Sequence, residues 1–262
     1  MIELDRSGLP DFARWFAVGA PGVAALAEHV LATGNGRWWA DRPVEPRVMA
    51  VSCGDRVVLR GDPREVPLSA LGSLAASRVE APEHFAPVMR AAFSRVEPRQ
   101  WMVYAQEAPP LSARTLRGVA VRRLTAEDAP ALAGFSPEAS WIHATWGGPH
   151  GLAGSGAAWG AFRRGRLLAV ACTYVLGSRY EDVAVHAAPG HRTQQPALAC
   201  VSALCQDIAA RGRTPSWSCS RHDRPSRLLA WQAGFRLRRE YTHYSTGRVR
   251  VEDASECADA RA

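Results

Sequence analysis

"VHAAPGHRTQQPALACVSAL", residues 185–204, is the stretch that decides the fold of this 262-residue chain. It begins as an apolar strand, turns, and continues as a helix with apolar residues at helical spacing. A helix that starts directly after such a turn offers its backbone N–H groups and the positive end of its dipole to a phosphate. The turn holds no glycine after Gly190, so we expect a phosphate-facing loop of unusual construction.

The elements on both sides of this stretch alternate between strands and helices, which is typical of an α/β fold. Upstream, a strand runs into a helix that Thr125 can cap, and a hairpin turns at Arg163-Arg164-Gly165. Downstream, the pattern predicts a strand, a short helix, and a closing strand or hairpin in the segments "TPSWSCS", "RPSRLLAWQAG" and "FRLRREYTHYST".

The first 106 residues have a different pattern. A hairpin signal surrounds Cys53-Gly54-Asp55, "QWMVYAQ" predicts a strand, and "PREVPLSALGSLAAS" and "APEHFAPVMRAAFSRV" predict short helices. A polar stretch with two prolines then separates the apolar segments. We therefore predict an α+β N-terminal region over 1–106, a linker over 107–118, a second domain over 119–247 and a flexible tail over 248–262.

The composition argues against several classes of protein. Apolar residues make up 47% of the chain and charged residues 22%, which suits a soluble protein with a real core. No apolar run approaches the ~18 residues of a membrane span. The N-terminus lacks the uninterrupted apolar stretch of a secretory signal. We expect a cytoplasmic protein that does not bind membranes.

Cysteine and histidine spacing predicts neither disulfides nor a metal site. The six cysteines are scattered and include no C-x-x-C pair, so we expect reduced thiols. Neither acid nor cysteine completes a ligand set around His186 and His191.

The charge balance is basic, with a formal net charge of +7. All 32 basic residues are arginine, which a GC-rich coding bias explains most simply. The surplus still favours polyanionic partners, either a phosphorylated cosubstrate or a nucleic acid.

Residues 119–246 resemble the GNAT superfamily of N-acyltransferases in their order of elements and in the run "P-x-W…P-S…L-A…GF". Together with "SWIHATWGGP", the region is most similar to the branch of zwittermicin-resistance-type acetyltransferases. The resemblance implies an α/β fold with a GNAT-like mixed central sheet, preceded by a smaller α+β N-terminal domain. Residues 1–106 are a candidate for a degenerate GNAT-like half.

The resemblance also implies a donor site. In the family, the turn after the fourth strand follows R/Q-x-x-G-x-G/A and holds the coenzyme A pyrophosphate. The matching positions here are Arg192, Thr193, Gln194, Gln195, Pro196 and Ala197. Gln195 replaces a glycine and Pro196 removes a backbone donor, so the loop is poorly suited to coenzyme A.

Two further donor features follow from the same resemblance. Val185 lies where these enzymes separate the fourth and fifth strands, and its backbone N–H is expected to polarise the acyl carbonyl. The D-N-x-x-S motif after the fifth strand becomes Asp223-Arg224-Pro225-Ser226, in which Ser226 is retained and Arg224 is a candidate phosphate ligand.

Candidate catalytic residues lie on the fourth strand. Glu181 and Asp182 are the candidate bases, alternation allows only one to face the cleft, and we favour Glu181. His143 is an alternative base. The position of the family's frequent tyrosine acid holds Ala230. Trp141, Trp146 and Tyr174 are expected to line the acceptor pocket, although core packing is the commoner role for such residues. Cys172 and Cys219 are expected to be buried thiols rather than nucleophiles.

Three functions are compatible with this sequence. The default is acyl transfer from acyl-CoA, a cosubstrate rather than a tightly bound cofactor, to the amine of a small natural product in biosynthesis or self-resistance. The altered loop favours an aminoacyl-tRNA or a carrier-bound acyl group as an alternative donor for amide formation. A non-catalytic binding module is the third. The sequence leaves the oligomeric state open.

Overall fold

Within the described residues, the strands of both halves of the chain belong to one mixed sheet of twelve strands. The computed structural model describes residues 1–5, 12–111, 117–188 and 195–250. In chain order the strands are β1 Ile2–Glu3, β2 Arg37–Ala40, β3 Val48–Cys53, β4 Arg56–Gly61, β5 Arg78–Glu80, β6 Val96–Gln106, β7 Ala120–Arg123, β8 Ala158–Arg163, β9 Arg166–Leu176, β10 Tyr180–Ala187, β11 Thr214–Ser220 and β12 Phe235–Thr246.

Each half of the chain places its last strand next to a strand of the other half. The spatial order is β1-β2-β3-β4-β5-β12-β6-β11-β10-β9-β8-β7. The last strand of the N-terminal region, β6, thus pairs with β11 of the C-terminal region, while β12 pairs with β5. The predicted boundary at 107–118 therefore divides the sequence but does not divide the sheet.

The two series of strands follow the same plan. From the two outer edges inward, β1 to β4 and β7 to β10 are antiparallel neighbours. The next pair is parallel in both series, β4 with β5 and β10 with β11. Each series then meets the exchanged strand in an antiparallel pair. Because the order repeats, each half of the chain contributes a comparable set of strands to the sheet.

The helices cover the sheet unequally. They are α1 Leu26–Thr33, α2 Ala86–Ala92, α3 Ala129–Ala133, α4 Pro149–Gly154, α5 Gln195–Ala210 and α6 Arg224–Gln232. The longest, α5, buries Leu198, Val201, Leu204 and Ile208 against the sheet. This spacing is the amphipathic stripe that the sequence predicts.

Several predicted elements are confirmed. Thr125 begins a short helical segment through a capping box with Asp128, and the hairpins at 53–56 and 163–166 are present. "FRLRREYTHYST" is one continuous strand rather than a hairpin. The predicted mixed α/β fold is also confirmed.

The N-terminal region differs most from its prediction. The segment after β4 forms 3₁₀ turns at Pro63–Glu65 and Leu68–Leu74 rather than α-helix. Pro63, Pro67 and Gly72 punctuate this segment, and proline breaks the regular hydrogen-bond ladder that an α-helix needs. The short strands β2 and β5 were not predicted.

A buried histidine joins the halves. His29 of α1 accepts a hydrogen bond at Nδ1 from the backbone N–H of Leu176, 3.1 Å away. Its Nε2 therefore carries the proton and donates to the backbone oxygen of Thr145 at 2.8 Å. Burial lowers the pKa of His29, so the ring is neutral in the folded protein.

In the described part of the chain, no helix is long and apolar enough to cross a membrane. The five described cysteines are all buried and unbonded to one another.

Candidate active site

The sheet opens where β10 and β11 separate. The two strands pair in parallel over four positions, from Tyr180 opposite Thr214 to Val183 opposite Trp217. Beyond them β10 stays with β9 as far as Ala187, and β11 stays with β6 as far as Ser220. Val185 lies two residues past the last β10–β11 pair, so its backbone stands at the opening.

A cavity of about 480 Å³ occupies this opening. On one side it reaches α5 and α6, and on the other it reaches side chains of the N-terminal region. Its walls include Val23, Arg56, Arg78, Trp101, Trp141, Tyr174, Asp182, Val183, Val185, Ala197, Trp217, Ser218, Cys219, Asp223, Ser226, Leu229 and Tyr241. One cavity thus connects the predicted donor side of the sheet to the predicted acceptor side.

Several predicted donor residues lie at the helix ends beside this cavity. Ala197 in the first turn of α5 lines it, as does Ser226 in the first turn of α6. The Ser226 hydroxyl accepts a hydrogen bond from the Trp217 indole at 3.1 Å, and the Asp223 side chain caps α6 by accepting from the Ser226 N–H at 3.0 Å. This capping fixes the serine at the wall.

Other predicted donor residues lie elsewhere. Gln195 is the first residue of α5 and does not line the cavity. Arg224 is exposed at the start of α6, also outside the cavity. Arg192, Thr193 and Gln194 fall outside the described residues.

Of the two candidate bases on β10, Asp182 is the one that lines the cavity. Ser216 and Ser218 on β11 each donate a hydrogen bond to its Oδ1 at 3.0 Å. Burial raises the pKa of Asp182 to about 6, against the lowering effect of these hydroxyls and of the Arg56 charge. A carboxylate with this pKa is ionised at neutral pH and is basic enough to accept a proton from an amine.

Glu181 is not placed as a base, which corrects the preference drawn from the sequence. Its side chain is fully buried and lies outside the cavity wall. Arg211 contacts both carboxylate oxygens at 3.0 and 2.7 Å, Arg213 contacts one at 3.0 Å, and Thr173 donates at 2.5 Å. Although burial opposes them, these bonds lower the pKa of Glu181. A carboxylate held by two guanidinium groups ties β10 to the end of α5.

Two of the three predicted acceptor-pocket residues line the cavity, and the third packs elsewhere. Trp141 and Tyr174 line the cavity, with ring centroids 5.7 Å apart. Trp146 instead packs edge-on against His29 and donates its indole N–H to the Thr173 carbonyl at 2.7 Å. His143 does not line the cavity, so its proposed role as an alternative base has no geometric support.

The thiols near the site are not nucleophiles. Cys219 lines the cavity, and burial raises its pKa to about 11. Burial also raises the pKa of Cys172, which lies outside the cavity wall. Both therefore stay protonated at neutral pH.

Sequence reasoning missed most of the acceptor side. Arg56, Arg78 and Trp101 come from the N-terminal region, and Tyr241 comes from the exchanged strand β12. The one available signal was the alternation of Ser216, Ser218 and Ser220, which gives an otherwise apolar central strand a polar face.

A cluster of arginines lies beside the end of β10. Arg117, Arg163, Arg164 and Arg166 are exposed and line one shallow groove with Leu168. The backbone oxygen of Leu168 accepts from the N–H of Ala188, the last described residue before the donor loop. Within the described residues, none of these four arginines forms an ion pair. They are available to an anion at that end of the sheet.

Comparisons with known proteins identify a family to which the second half of the chain is similar. Residues 117–244 match the family model described as "GNAT acetyltransferase". The chain is 55% identical over 212 residues to a Streptomyces virginiae protein named "Uncharacterized N-acetyltransferase in mutA 5'region", covering 80% of this chain and 90% of the relative.

Solved structures share the architecture over nearly the whole chain. A GCN5-related N-acetyltransferase-like protein from Streptococcus suis superposes with a TM-score of 0.73 at 14% identity, covering 92% of this chain and 98% of its own. A tandem GNAT protein from the clavulanic acid biosynthesis pathway gives 0.58 at 11% identity, covering 93% and 96%. These likenesses concern the fold, whereas the Streptomyces relative carries the family assignment. The chain therefore belongs to the GNAT family and is an N-acetyltransferase.

Proposed function

We propose that the protein transfers an acetyl group from acetyl-CoA to the amine of a small molecule, with Asp182 as the general base. The observation that carries this proposal is the continuous cavity from the first turns of α5 and α6, through the opening between β10 and β11, to Asp182. A thioester entering from the helix side would meet an amine beside a buried carboxylate.

In this reaction the amine nitrogen bonds to the thioester carbonyl carbon and the carbon–sulfur bond breaks. An ammonium acceptor loses two protons, one to Asp182 and one to the departing thiolate. Backbone N–H groups near Val185 would polarise the carbonyl, as the family resemblance implies. The serines that hold Asp182 also orient it toward the cavity.

The choice of donor rests on two supports. The 55% identical relative is named an N-acetyltransferase, and the arginine groove beside Ala188 would suit the phosphates of a coenzyme. Aminoacyl-tRNA and carrier-bound acyl groups remain the alternative donors, since arginines serve any phosphorylated partner. A natural-product acceptor and a cytoplasmic location also stay predictions.

Titration calorimetry with acetyl-CoA and desulfo-CoA, beside a tRNA gel shift at two salt concentrations, tests the donor. We expect micromolar binding of both coenzymes and no tRNA shift. Failure of both coenzymes to bind, together with a tRNA shift that weakens steeply with salt, would transfer the proposal to aminoacyl-tRNA.

The pH dependence of turnover tests the base. Because Asp182 must be ionised to accept a proton, kcat/KM should rise with pH about a midpoint near 6 and then level off. Acetyl transfer measured from pH 5 to 8 with a fixed acceptor checks this. A profile with no inflection near that pH would remove Asp182 from the mechanism.

A further inference from the structure

The cavity beyond Asp182 is built from arginine and aromatic side chains of four different strands. Arg56 comes from β4, Trp101 from β6, Tyr174 from β9 and Tyr241 from β12. Arg56 is only 9% exposed, and its guanidinium carbon lies 5.2 Å from the Trp101 ring centroid and 5.9 Å from that of Tyr174. The halves of the chain thus meet around one buried cation.

Polar atoms at this end of the cavity lack partners. Arg56 Nε, Trp101 Nε1, Tyr174 Oη and Tyr241 Oη are all buried, and among the described residues none makes a well-formed hydrogen bond, although the Tyr174 hydroxyl interacts with the Arg56 guanidinium. Leaving a buried polar group unsatisfied is costly, so a cluster of such groups calls for a ligand or solvent. All four can donate a hydrogen bond, and two can only donate. They match a ligand group rich in acceptor oxygens.

The charge of Arg56 is not closely neutralised. Its nearest acid, Asp55, lies 3.7 Å from Nε and accepts a hydrogen bond of 2.6 Å from Arg78 instead. Arg56 lowers the pKa of Asp182, so the two charges act on each other within the cavity. The acceptor space therefore holds a buried cation as well as the proposed base.

We propose that the acceptor is a zwitterionic small molecule, whose anionic group binds the buried donors around Arg56 while its amine faces Asp182. This inference rests on the proposed acetyl transfer and narrows its substrate to amines that carry a carboxylate or a phosphate. It also gives the N-terminal region a role, since Arg56 and Trp101 belong to it. Arg56 is a binding residue in this arrangement and takes no part in proton transfer.

Matched pairs of acceptors test the inference with acetyl-CoA as donor. Glycine, β-alanine, alanine and phenylalanine are compared with their amides, and phosphoethanolamine with ethanolamine. In the wild type, kcat/KM should favour the anionic members of the carboxylate or the phosphate series by about 10- to 100-fold, the worth of a charged hydrogen-bonded contact. The series that shows the preference identifies the anion.

The Arg56→Gln variant should lose that preference, mainly through KM, while Arg56→Lys should keep part of it. Arg60→Gln is the matched control, because Arg60 lies on the same strand, pairs with Glu80 and does not line the cavity. It should leave the preference unchanged. A structural role for Arg56 would instead lower activity on acids and amides equally, which would overturn the inference.

Binding to the free site gives a readout independent of turnover. N-acetylphenylalanine and N-acetylphenylalaninamide mimic products, and only the former should raise the melting temperature. If acids and their amides give equal kcat/KM and equal shifts in melting temperature, the zwitterionic acceptor is ruled out, whereas the proposed acetyl transfer stands. The same conclusion follows if acetyl-CoA binds but no acceptor of the panel is acetylated or bound. Absence of acetyl-CoA binding is the separate failure of the proposed function.

Discussion

The two series of strands share one order, but the gap after the parallel pair is open in one and bridged in the other. Beyond the β10–β11 pairs the strands separate, and the 16-residue helix α5 stands between them in sequence. Beyond the three β4–β5 pairs, 3₁₀ turns replace that helix. Arg60 spans this gap, donating to the backbone oxygen of Glu80 at 3.3 Å and to its carboxylate at 3.1 Å.

The chemistry differs at matched positions. The third parallel pair joins Asp182 to Ser216 in the C-terminal series and Val58 to Glu80 in the N-terminal series. Val58 is fully buried and carries no titratable group. Burial of apolar side chains is enough to maintain a strand order, whereas an active opening also needs a helix and a polar face. We infer that the N-terminal region is a degenerate GNAT-like half, in which 3₁₀ turns stand at the place of the donor helix α5.

The largest effect on activity is expected from Asp182→Asn. The amide cannot accept the proton, so acetyl transfer should fall by roughly 10²- to 10⁴-fold. Acetyl-CoA affinity, measured by calorimetry, should change little because the donor side of the cavity is untouched. Turnover within a fewfold of the wild type would show that the opening works without a base at this position.

The same substitution should stabilise the protein. The pKa of Asp182 is about 6 in the folded state, above its ordinary value of 3.8, so the folded state holds this proton more tightly than the unfolded state. Its contribution to stability is therefore lost as the pH rises from about 4 through 6. At pH 7 the variant should gain up to ~3 kcal/mol, an advantage that disappears near pH 4 in paired denaturation curves.

Buried acids within each parallel strand pair offer a second comparison. Glu181 receives bonds from Arg211, Arg213 and Thr173, whereas Glu80 accepts from Arg60 and its Oε2 has no partner in the described part of the chain. Glu181→Gln should cost about 3–5 kcal/mol, because Arg211 and Arg213 both lose a buried charged partner, although Arg211 keeps its ion pair with Asp207 at 2.8 Å. Glu80→Gln should cost less, about 1.5–3 kcal/mol.

Urea denaturation of both variants at pH 7 checks this order. The control is turnover per folded molecule, which should survive in Glu181→Gln because its side chain faces away from the cavity. If that variant folds normally but is inactive, Glu181 rather than Asp182 is the base.

The sequence predicted the C-terminal half well because its signals are local. The apolar spacing of α5, the Thr125 capping box and the turn at Arg163-Arg164-Gly165 each depend on neighbours in the chain. The acceptor side could not be predicted, because Arg56 and Tyr174 meet only through the exchange of β6 and β12. The alternation of side chains along β10 also could not distinguish Glu181 from Asp182 as the base. That distinction depends on tertiary contacts, because Ser216 binds Asp182 whereas Arg211 binds Glu181.

The smallest effect is expected at the arginine groove, and it compares the two halves once more. Arg164→Ala and Arg166→Ala should each raise the KM for acetyl-CoA a fewfold and weaken its salt dependence, since exposed charges contribute about 1 kcal/mol or less.

Arg64→Ala is the control, because Arg64 follows β4 as the donor loop follows β10 and its guanidinium is paired with Asp62. Initial rates at two salt concentrations measure all three. Equal effects from Arg64 and the groove would mean that only overall charge matters, whereas an effect confined to the groove would show that one half alone receives the donor's phosphates.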